Sequence, residues 1–372
     1  MQTKLHELGK LGQSIWYDNI SRKIIENGEL QKLLNQGVMG ITSNPTIFEK
    51  AIAGSADYDM AIQEMVAADK SVDQIYETLA VTDIRQAATM LRPIYERTQG
   101  KDGYISLEVS PALAHDTQGA IREARHYWQM LGQPNVMIKI PATPAGIPAI
   151  AQLISEGINI NVTLIFSLDN HEAVMEAYMS GLEKRAAAGG SINMIASVAS
   201  FFVSRVDSAI DPQLAKLGAT ELQGQAAIAN AKLAYARFQE IFSGPRWEKL
   251  AALGANVQRP LWASTGVKNP AYPDTLYADA LIGAETVNTV PPATLTAILD
   301  HGTLAETLTV DVAGAQRLLS QLSKTGIDMA QVTQQLQDDG VASFAKSFET
   351  LMAALSSKRD QLQANMKMKM AA

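Results

Sequence analysis

The 372-residue chain contains no cysteine. This absence excludes disulfide bonds, thiolate nucleophiles and cysteine metal sites. Histidine is scarce as well, and no two histidines stand at the spacing of a metal-binding pair. The five are His6, His115, His126, His171 and His301. We interpret each as a surface or helix-face residue, and we expect no metal and no cofactor. Proton transfer should then depend on carboxylates or lysine.

Long apolar runs are missing too, since none approaches the roughly 20 residues that cross a bilayer. Residues 1–8 lack the apolar segment of a signal peptide. The net charge of −7 argues against nucleic-acid binding but permits a small basic pocket. We therefore predict a cytoplasmic protein with no membrane or nucleic-acid partner. The sequence leaves monomer and homodimer open.

Short strand-like runs alternate with helical stretches over much of the chain. The predicted strands are 14–18, 38–44, 104–110, 135–141, 158–166, 192–200, 259–265 and 284–290. The helical stretches include 21–36, 82–97, 118–131, 168–188 and 221–241. Eight such units predict an α/β protein with a closed (β/α)8 TIM barrel. A doubly wound open sheet is the alternative, although no Gly-x-Gly-x-x-Gly follows the first strand.

A helical pattern continues after residue 294, with Asp328 as a candidate cap. One apolar helix face is formed by Phe344, Phe348, Leu351, Met352 and Leu355. We expect residues 1–300 to form the catalytic barrel. Residues 301–372 should form a helical addition packed on it within the same domain. The end, 366–372, shows no packing pattern and is expected to fray.

A lysine interrupts the predicted strand 135–141. The branched residues Val136, Ile138 and Ile140 alternate with Lys139, so the lysine points to the opposite face. Both faces of a parallel sheet are buried, and an ammonium group there loses its hydration. A functional lysine and a structural ion pair are equally open at this point.

Polar residues occupy the C-terminal ends of most predicted strands, where barrel enzymes have their active sites. They are Asp18, Asn44, Glu108, Lys139, Asn161, Thr163, Ser200, Ser264 and Thr265. Glu108 shares one strand face with Ser106 and Ser110. Asn161 and Thr163 likewise alternate with apolar neighbours. We therefore expect five side chains to face the barrel interior together, namely Asp18, Glu108, Lys139, Asn161 and Thr163.

Two carboxylates and a lysine, without histidine or metal ligands, suit Schiff-base chemistry on a carbonyl substrate. The iminium would act as an electron sink, while a carboxylate moves protons during dehydration and carbon–carbon cleavage. Two simpler interpretations stay open. Asp18 could cap the following helix, and Glu108 could merely neutralise Lys139. Together they leave the shared inward polarity unexplained.

Two cations stand where a phosphate group could be bound. Arg205 follows the sixth predicted strand and Lys268 follows the seventh. A guanidinium can bind phosphate through two hydrogen bonds, whereas an ammonium group offers a point charge. For either residue alone, a solvated surface cation is the simpler interpretation. Arg246 and Arg259 are weaker candidates.

Seven motifs follow one another along about the first four fifths of the chain. They are Trp16-Tyr17-Asp18, Gly40-Ile41-Thr42-Ser43-Asn44-Pro45-Thr46, Ser106-Leu107-Glu108-Val109-Ser110-Pro111, Val136-Met137-Ile138-Lys139-Ile140-Pro141-Ala142-Thr143, Asn161-Val162-Thr163-Leu164-Ile165-Phe166-Ser167, Ser200-Phe201-Phe202-Val203-Ser204-Arg205 and Trp262-Ala263-Ser264-Thr265. In this order they resemble the transaldolase family of the pentose phosphate pathway. The long segment before the seventh strand and the C-terminal helices resemble its larger bacterial members.

The resemblance implies transfer of a dihydroxyacetone unit from a ketose phosphate, such as sedoheptulose 7-phosphate or fructose 6-phosphate. The acceptor would be an aldose phosphate, such as glyceraldehyde 3-phosphate or erythrose 4-phosphate. Lys139 would form the Schiff base, Asp18 would take the donor hydroxyl proton, and Glu108 with Thr163 would use a water. The implied substrate-binding residues are Asn44, Asn161, Ser200, Arg205, Ser264 and Lys268. The family pattern has an arginine where this chain has Lys268.

Three other functions remain open. Shorter family members include aldolases that cleave fructose 6-phosphate without an acceptor, although Asp18 and the longer chain favour transaldolase. A retaining glycosidase with Asp18 and Glu108 as its carboxylate pair would leave Lys139 without a role. A catalytically inactive sugar-phosphate binder should have lost the lysine, which this chain keeps.

Overall fold

Eight parallel strands close into a barrel in the computed structural model. It describes residues 2–371, without the side chains of 365–367 and 369–371. The strands are β1 (Gln13–Tyr17), β2 (Gly40–Ile41), β3 (Ile105–Glu108), β4 (Val136–Pro141), β5 (Ile160–Ile165), β6 (Ser197–Phe202), β7 (Arg259–Ala263) and β8 (Thr286–Val290). Each strand pairs with the next, and β8 pairs with β1. The predicted (β/α)8 barrel is confirmed, and the open sheet is excluded.

Helices follow the strands around the barrel and extend beyond it at both ends. Those within residues 2–371 are α1 (Lys4–Lys10), α2 (Arg22–Glu26), α3 (Glu29–Asn35), α4 (Pro45–Phe48), α5 (Asp59–Ala67), α6 (Val72–Arg97), α7 (Thr117–Leu131), α8 (Gly146–Glu156), α9 (Leu168–Ala187), α10 (Ser204–Leu217), α11 (Ala226–Ile241), α12 (Pro245–Ala252), α13 (Leu276–Ala280), α14 (Pro292–His301), α15 (Val312–Lys324) and α16 (Met329–Ala371). Crossing a membrane would require a longer or more apolar helix than any in this described part.

Several boundaries differ from the sequence-based expectations. The strand predicted at 38–44 keeps only two paired residues, because Asn44 already caps α4 through its side chain. The helix predicted at 21–36 is divided into α2 and α3 by Gly28, whose φ of 81° is accessible to glycine at little cost. β6 begins five residues later than expected and ends at Phe202 rather than at Ser200.

The N-terminal end of the barrel is closed by a buried polar network around Arg259 and Asp102. The Arg259 guanidinium lies 3.1 Å from Asp102 Oδ1 and donates to Ser14 Oγ at 2.7 Å. Trp16 Nε1 donates to the same carboxylate at 2.9 Å. Arg259 therefore stabilises the N-terminal end of the barrel, opposite to the C-terminal ends of the strands. The suggestion that Arg259 binds phosphate is wrong. Arg246 is committed elsewhere, to ion pairs with glutamates of α9.

α16 packs against the barrel with the apolar face predicted from its sequence. It contacts α4, α5, α6, α10 and β5. Phe344, Leu351 and Leu355 are buried on this face. Asp328 caps the helix as predicted, because its carboxylate accepts from Ala330 N at 3.0 Å. The backbone of α16 continues to Ala371, so the fraying expected for 366–372 is not seen in the described residues, and Ala372 lies outside them.

One histidine, predicted to be a surface or helix-face residue, lies on a helix but is buried in the core. His171 of α9 is 0% exposed, and its ring stands edge-on to Phe201 with 5.6 Å between centroids. Neither ring nitrogen has a hydrogen-bond partner among the described residues. Burial without a partner lowers the pKa of His171 to about 4, because the charged ring would lose its hydration.

This burial predicts an acid-dependent loss of stability. Between pH 6.5 and about 4, His171 is protonated in the unfolded chain but stays neutral in the folded chain. The free energy of unfolding should therefore decrease as the pH is lowered from 6.5 to about 4, by up to about 3 kcal/mol. Urea unfolding at several pH values should show a shallower fall in His171→Leu. The exposed control His115→Leu should keep the full dependence, and an unchanged slope in His171→Leu would contradict this account.

Candidate active site

A cavity of about 580 Å³ opens at the C-terminal ends of the strands. Eight of the ten predicted site residues line it, namely Asp18, Asn44, Lys139, Thr163, Ser200, Arg205, Ser264 and Lys268. The other two, Glu108 and Asn161, lie on the two strands that flank the strand of Lys139. The parallel register pairs Glu108 with Lys139 and Lys139 with Asn161 across β3, β4 and β5. The structure thus brings the predicted set together.

Lys139 and Glu108 form a buried ion pair. Lys139 Nζ lies 3.1 Å from Glu108 Oε2 and donates to the Ser43 carbonyl oxygen at 3.2 Å. The two residues are only 4% and 7% exposed. Burial raises the pKa of Glu108 above the usual carboxyl range, while the nearby ammonium group of Lys139 opposes that rise. A carboxyl group in this position can hold or release a proton beside the amine.

Asp18 follows β1 directly at the rim of the cavity. Its Oδ1 accepts a hydrogen bond from Thr42 Oγ1 at 2.7 Å. Burial raises the pKa of Asp18, although Lys139, Thr42 and Arg205 each favour the ionised form. The helix-cap interpretation is wrong, because the cap of α2 is Ser21. Asp18 therefore presents a desolvated carboxylate to the cavity.

β5 supplies an amide and a hydroxyl group at two successive inward positions. Asn161 Nδ2 donates to Ser106 Oγ at 2.9 Å, and its Oδ1 accepts from Ser200 Oγ at 2.7 Å. These bonds fix the orientation of the amide. Thr163 Oγ1 is buried and has no hydrogen-bond partner within the described part of the chain. Its hydroxyl group is thus available to a substrate or a water molecule.

The two predicted phosphate cations lie on one side of the cavity. Arg205 is in the first turn of α10, with its guanidinium 5.2 Å from the Phe202 ring centroid. Lys268 is exposed beyond Ser264. Neither forms an ion pair with another described residue, so both charges are available to an anion. Burial lowers the pKa of Arg205, while Asp18 opposes that change.

Two aspartate–tyrosine hydrogen bonds join the helix of Arg205 to the segment of Lys268. Tyr272 donates to Asp211 Oδ2 at 2.7 Å, and Tyr277 donates to Asp207 Oδ2 at 2.9 Å. Both aspartates lie on α10. Burial raises the pKa of Asp207 to about 6. These contacts connect α10 to the chain that follows Lys268, and nothing in the sequence motifs had indicated them.

Comparison with known proteins identifies the family. The family model described as Transaldolase/Fructose-6-phosphate aldolase matches residues 15–355. The chain belongs to this family. It is 48% identical over 367 residues to a transaldolase of Parafrankia sp., with 97% of this chain and 99% of that relative covered. It is 50% identical over 369 residues to transaldolase 2 of a Nostoc species and 48% over 357 to the transaldolase of Thermobifida fusca, each covering 95% of this chain and 97% of the relative.

Some residues of this family member's cavity were missed by the sequence analysis. Thr42, Thr289, Lys50 and Phe344 line it as well. Thr42 belongs to a motif that had been recognised, and strand parity could have placed it beside Asp18. Phe344 lies on α16, far from the barrel strands in the sequence. The sequence predicted only that it belongs to an apolar helix face, not that it lines the cavity.

Proposed function

We propose that the protein is a transaldolase that transfers a dihydroxyacetone unit from a ketose phosphate to an aldose phosphate through a Schiff base on Lys139. The observation that carries this proposal is the buried amine 3.1 Å from Glu108 and inside a cavity at the strand ends. Membership of the transaldolase/aldolase family supports it. A purely structural ion pair would have no need of the surrounding cavity.

The geometry supports a division of labour among the catalytic residues. The amine of Lys139 attacks the ketose carbonyl, and Glu108 moves protons as the carbinolamine forms and loses water. Thr163 holds the water involved, because its buried hydroxyl group has no partner in the described protein. Asp18 removes the proton from the donor hydroxyl group while the carbon–carbon bond breaks. The three-carbon unit stays on the lysine until it adds to an aldose, and water then hydrolyses the resulting iminium to release the product and the free amine of Lys139.

The remaining residues bind the substrates. Asn44 and Asn161 orient the three-carbon unit, with Ser200 and Ser264 beside it. Arg205 and Lys268 bind the phosphate group, which is supported by their lack of ion pairs with described residues. This cation pair favours phosphorylated substrates over free sugars.

The alternatives have less support. A fructose 6-phosphate aldolase would use the same scaffold, but the three relatives compared above carry transaldolase names. A retaining glycosidase gives Lys139 no role. We further propose a cytoplasmic enzyme whose residues 1–300 and 301–372 form one domain. That domain assignment is supported by the contacts of α16 with β5 and α10.

Borohydride trapping tests the proposal. Reduction of the enzyme together with fructose 6-phosphate should leave the reduced three-carbon unit as added mass on the peptide that contains Lys139. The reason is that borohydride converts an iminium into a stable secondary amine. Omitting the sugar provides the control. No added mass on this peptide, under conditions in which the enzyme turns over, would contradict the mechanism.

The role of Lys268 predicts a selective binding defect. Lys268→Ala should raise the KM for fructose 6-phosphate about tenfold, since a charge-assisted contact to the phosphate is lost. Transfer from unphosphorylated fructose should change little. Steady-state kinetics with both donors measures the difference, and Lys216→Ala, on the exposed end of α10, is the matched control. Equal effects on both donors would refute phosphate binding by Lys268.

A further inference from the structure

β5 contains an extra residue at the position of Thr163. Between Val162 and Ile165 it advances three residues while β6 advances two, so Thr163 and Leu164 together lie opposite Ser200. Two residues opposite one make a β-bulge, a feature that is common beside active sites because it changes the direction of a side chain. The hydroxyl group that lines the cavity at this point therefore comes from an irregular part of its strand.

The bulge holds Leu164 in a backbone conformation that leucine rarely adopts. Its φ is 60°, in the left-handed region, where the Cβ of a residue other than glycine crowds the backbone. Strain of this kind persists only where the surrounding structure holds it, and it is concentrated at functional sites. Leu164 is 1% exposed, so the contacts that hold it come from the protein.

Gln337 of the C-terminal helix α16 supplies such a contact. Its Nε2 donates to the carbonyl oxygen of Leu164 at 3.0 Å and to that of Ala142, just after β4, at 3.1 Å. Asn170 completes the network, because its Oδ1 accepts from Gln337 at 3.2 Å and its Nδ2 donates to the Ala142 carbonyl oxygen at 2.8 Å. Gln337 is only 7% exposed. One buried carboxamide thus joins the C-terminal ends of β4 and β5.

A glycine allows α16 to lie this close to the bulge. A Cβ at Gly340 would lie 2.8 Å from Leu164 Cδ2, closer than real contacts, and 3.7 Å from Arg205 Nη1. One turn later, the ring centroid of Phe344 lies 5.6 Å from Lys139 Nζ. The same stretch of helix therefore borders the bulge, Arg205 and the reacting amine. A general loosening of α16 would disturb all three, whereas a local change at the bulge would not.

We propose that Gln337 is a positioning residue: by holding the bulge, it orients the hydroxyl group of Thr163 toward the water that Glu108 uses. The inference rests on the Schiff-base function proposed above. No hydrogen bond to a described residue fixes Thr163 Oγ1, and χ1 of a threonine is restricted by its own backbone. Without the donor from Gln337, the buried carbonyl oxygen of Leu164 loses a hydrogen bond and its φ can relax. The hydroxyl group then moves relative to Glu108.

This role affects some steps of the reaction and not others. The water held by Thr163 serves proton transfer while the carbinolamine forms and loses water, and again while the product iminium is hydrolysed. Carbon–carbon cleavage depends on Asp18 and phosphate binding on Arg205, and neither residue is a hydrogen-bond partner of Gln337. Loss of the carboxamide should therefore slow Schiff-base formation and leave the affinity for phosphate unchanged.

Gln337→Met tests the inference, because methionine has a similar length but no donor. In single turnovers with fructose 6-phosphate, the rate of Schiff-base formation should fall about tenfold, a modest cost for a displaced catalytic group. Borohydride trapping at successive times measures this rate. The inhibition constant of inorganic phosphate should stay within about twofold, because Arg205 keeps its place. An unchanged rate in the folded variant, or an equal weakening of phosphate binding, would overturn the inference.

Thermal unfolding identifies a variant that fails to fold. Gln337→Asn, whose amide is withdrawn by one methylene group, then carries the test and should show the same selective loss at a smaller size. Gln335→Met is the matched control, because Gln335 is on the exposed face of α16, where it donates to Asp339 Oδ1 at 2.8 Å. Its rate of Schiff-base formation should stay within about twofold of that of the unaltered enzyme. An equal loss in Gln335→Met would contradict a specific role for Gln337.

A double variant shows whether Gln337 acts through Thr163. In a Thr163→Val background, Gln337→Met should slow Schiff-base formation by no more than about twofold, because the hydroxyl group that it orients is already absent. A further loss of about tenfold in this background would refute the proposed coupling. Absence of the borohydride adduct in the unaltered enzyme would overturn the Schiff-base site itself. An adduct that forms at a rate insensitive to Gln337 would overturn the positioning role alone.

Discussion

Lys139→Ala is expected to lower transaldolase turnover by on the order of 10⁴-fold or more, because the covalent route disappears with its nucleophile. The borohydride adduct should disappear with it. Lys50 and Lys268 also line the cavity, but both are exposed. Neither forms the contact with Glu108 that Lys139 makes. We therefore expect no other lysine to take over the reaction.

The measurement needs a control for stability, since removing one partner of a buried ion pair leaves the other without its counter-charge. Burial already raises the pKa of Glu108, so this carboxyl group can take up a proton when Lys139 is absent. The double variant Lys139→Ala with Glu108→Gln removes both charges and should be equally inactive. Lys50→Ala should retain the adduct on Lys139. Substantial transfer by a folded Lys139→Ala variant would refute the assignment.

The barrel and most of the site were predictable from local pattern. Strand parity placed Lys139, Glu108 and Asn161 on inward faces, because side chains alternate strictly along a strand. The parallel register then sets them side by side. The local sequence pattern predicted less well where hydrogen bonding between strands ends. At β2 the sheet ends early because Asn44 begins a helix cap.

Contacts between distant segments could not be predicted in this way. The sequence predicted an apolar face for the C-terminal helix, but the contact of Phe344 with Lys139 depends on how α16 crosses the barrel. Gln337 gives no local signal, since its partners are backbone carbonyl oxygens of other elements. The burial of His171 was missed because α9 is sandwiched between neighbours on more than one side.

Asp18→Asn is expected to lower kcat by about 10² to 10⁴-fold, the usual range for loss of a general base. The loss should fall on carbon–carbon cleavage, because the amide cannot take the hydroxyl proton. Schiff-base formation, followed by the rate of borohydride trapping, should change far less. Equal losses in both steps would remove the role assigned to Asp18.

Stability provides the control for this variant. Burial raises the pKa of Asp18, so the folded protein binds this proton more tightly than the unfolded chain does. The ionised carboxylate therefore destabilises the fold, and stability falls as pH rises above the unfolded pKa of about 3.9. The asparagine variant lacks this charge. At neutral pH its melting temperature should equal or exceed that of the unaltered protein.

The same shift predicts the pH dependence of catalysis. A general base must be ionised, so the raised pKa of Asp18 moves the acid limb of the kcat profile above the pH expected for an ordinary aspartate. Thr42→Val removes the hydrogen bond of 2.7 Å that favours the ionised form. The pKa should then rise further, and the acid limb should move to still higher pH. Movement in the opposite direction, or no movement in a folded Thr42→Val variant, would show that Asp18 is not the group whose ionisation limits turnover.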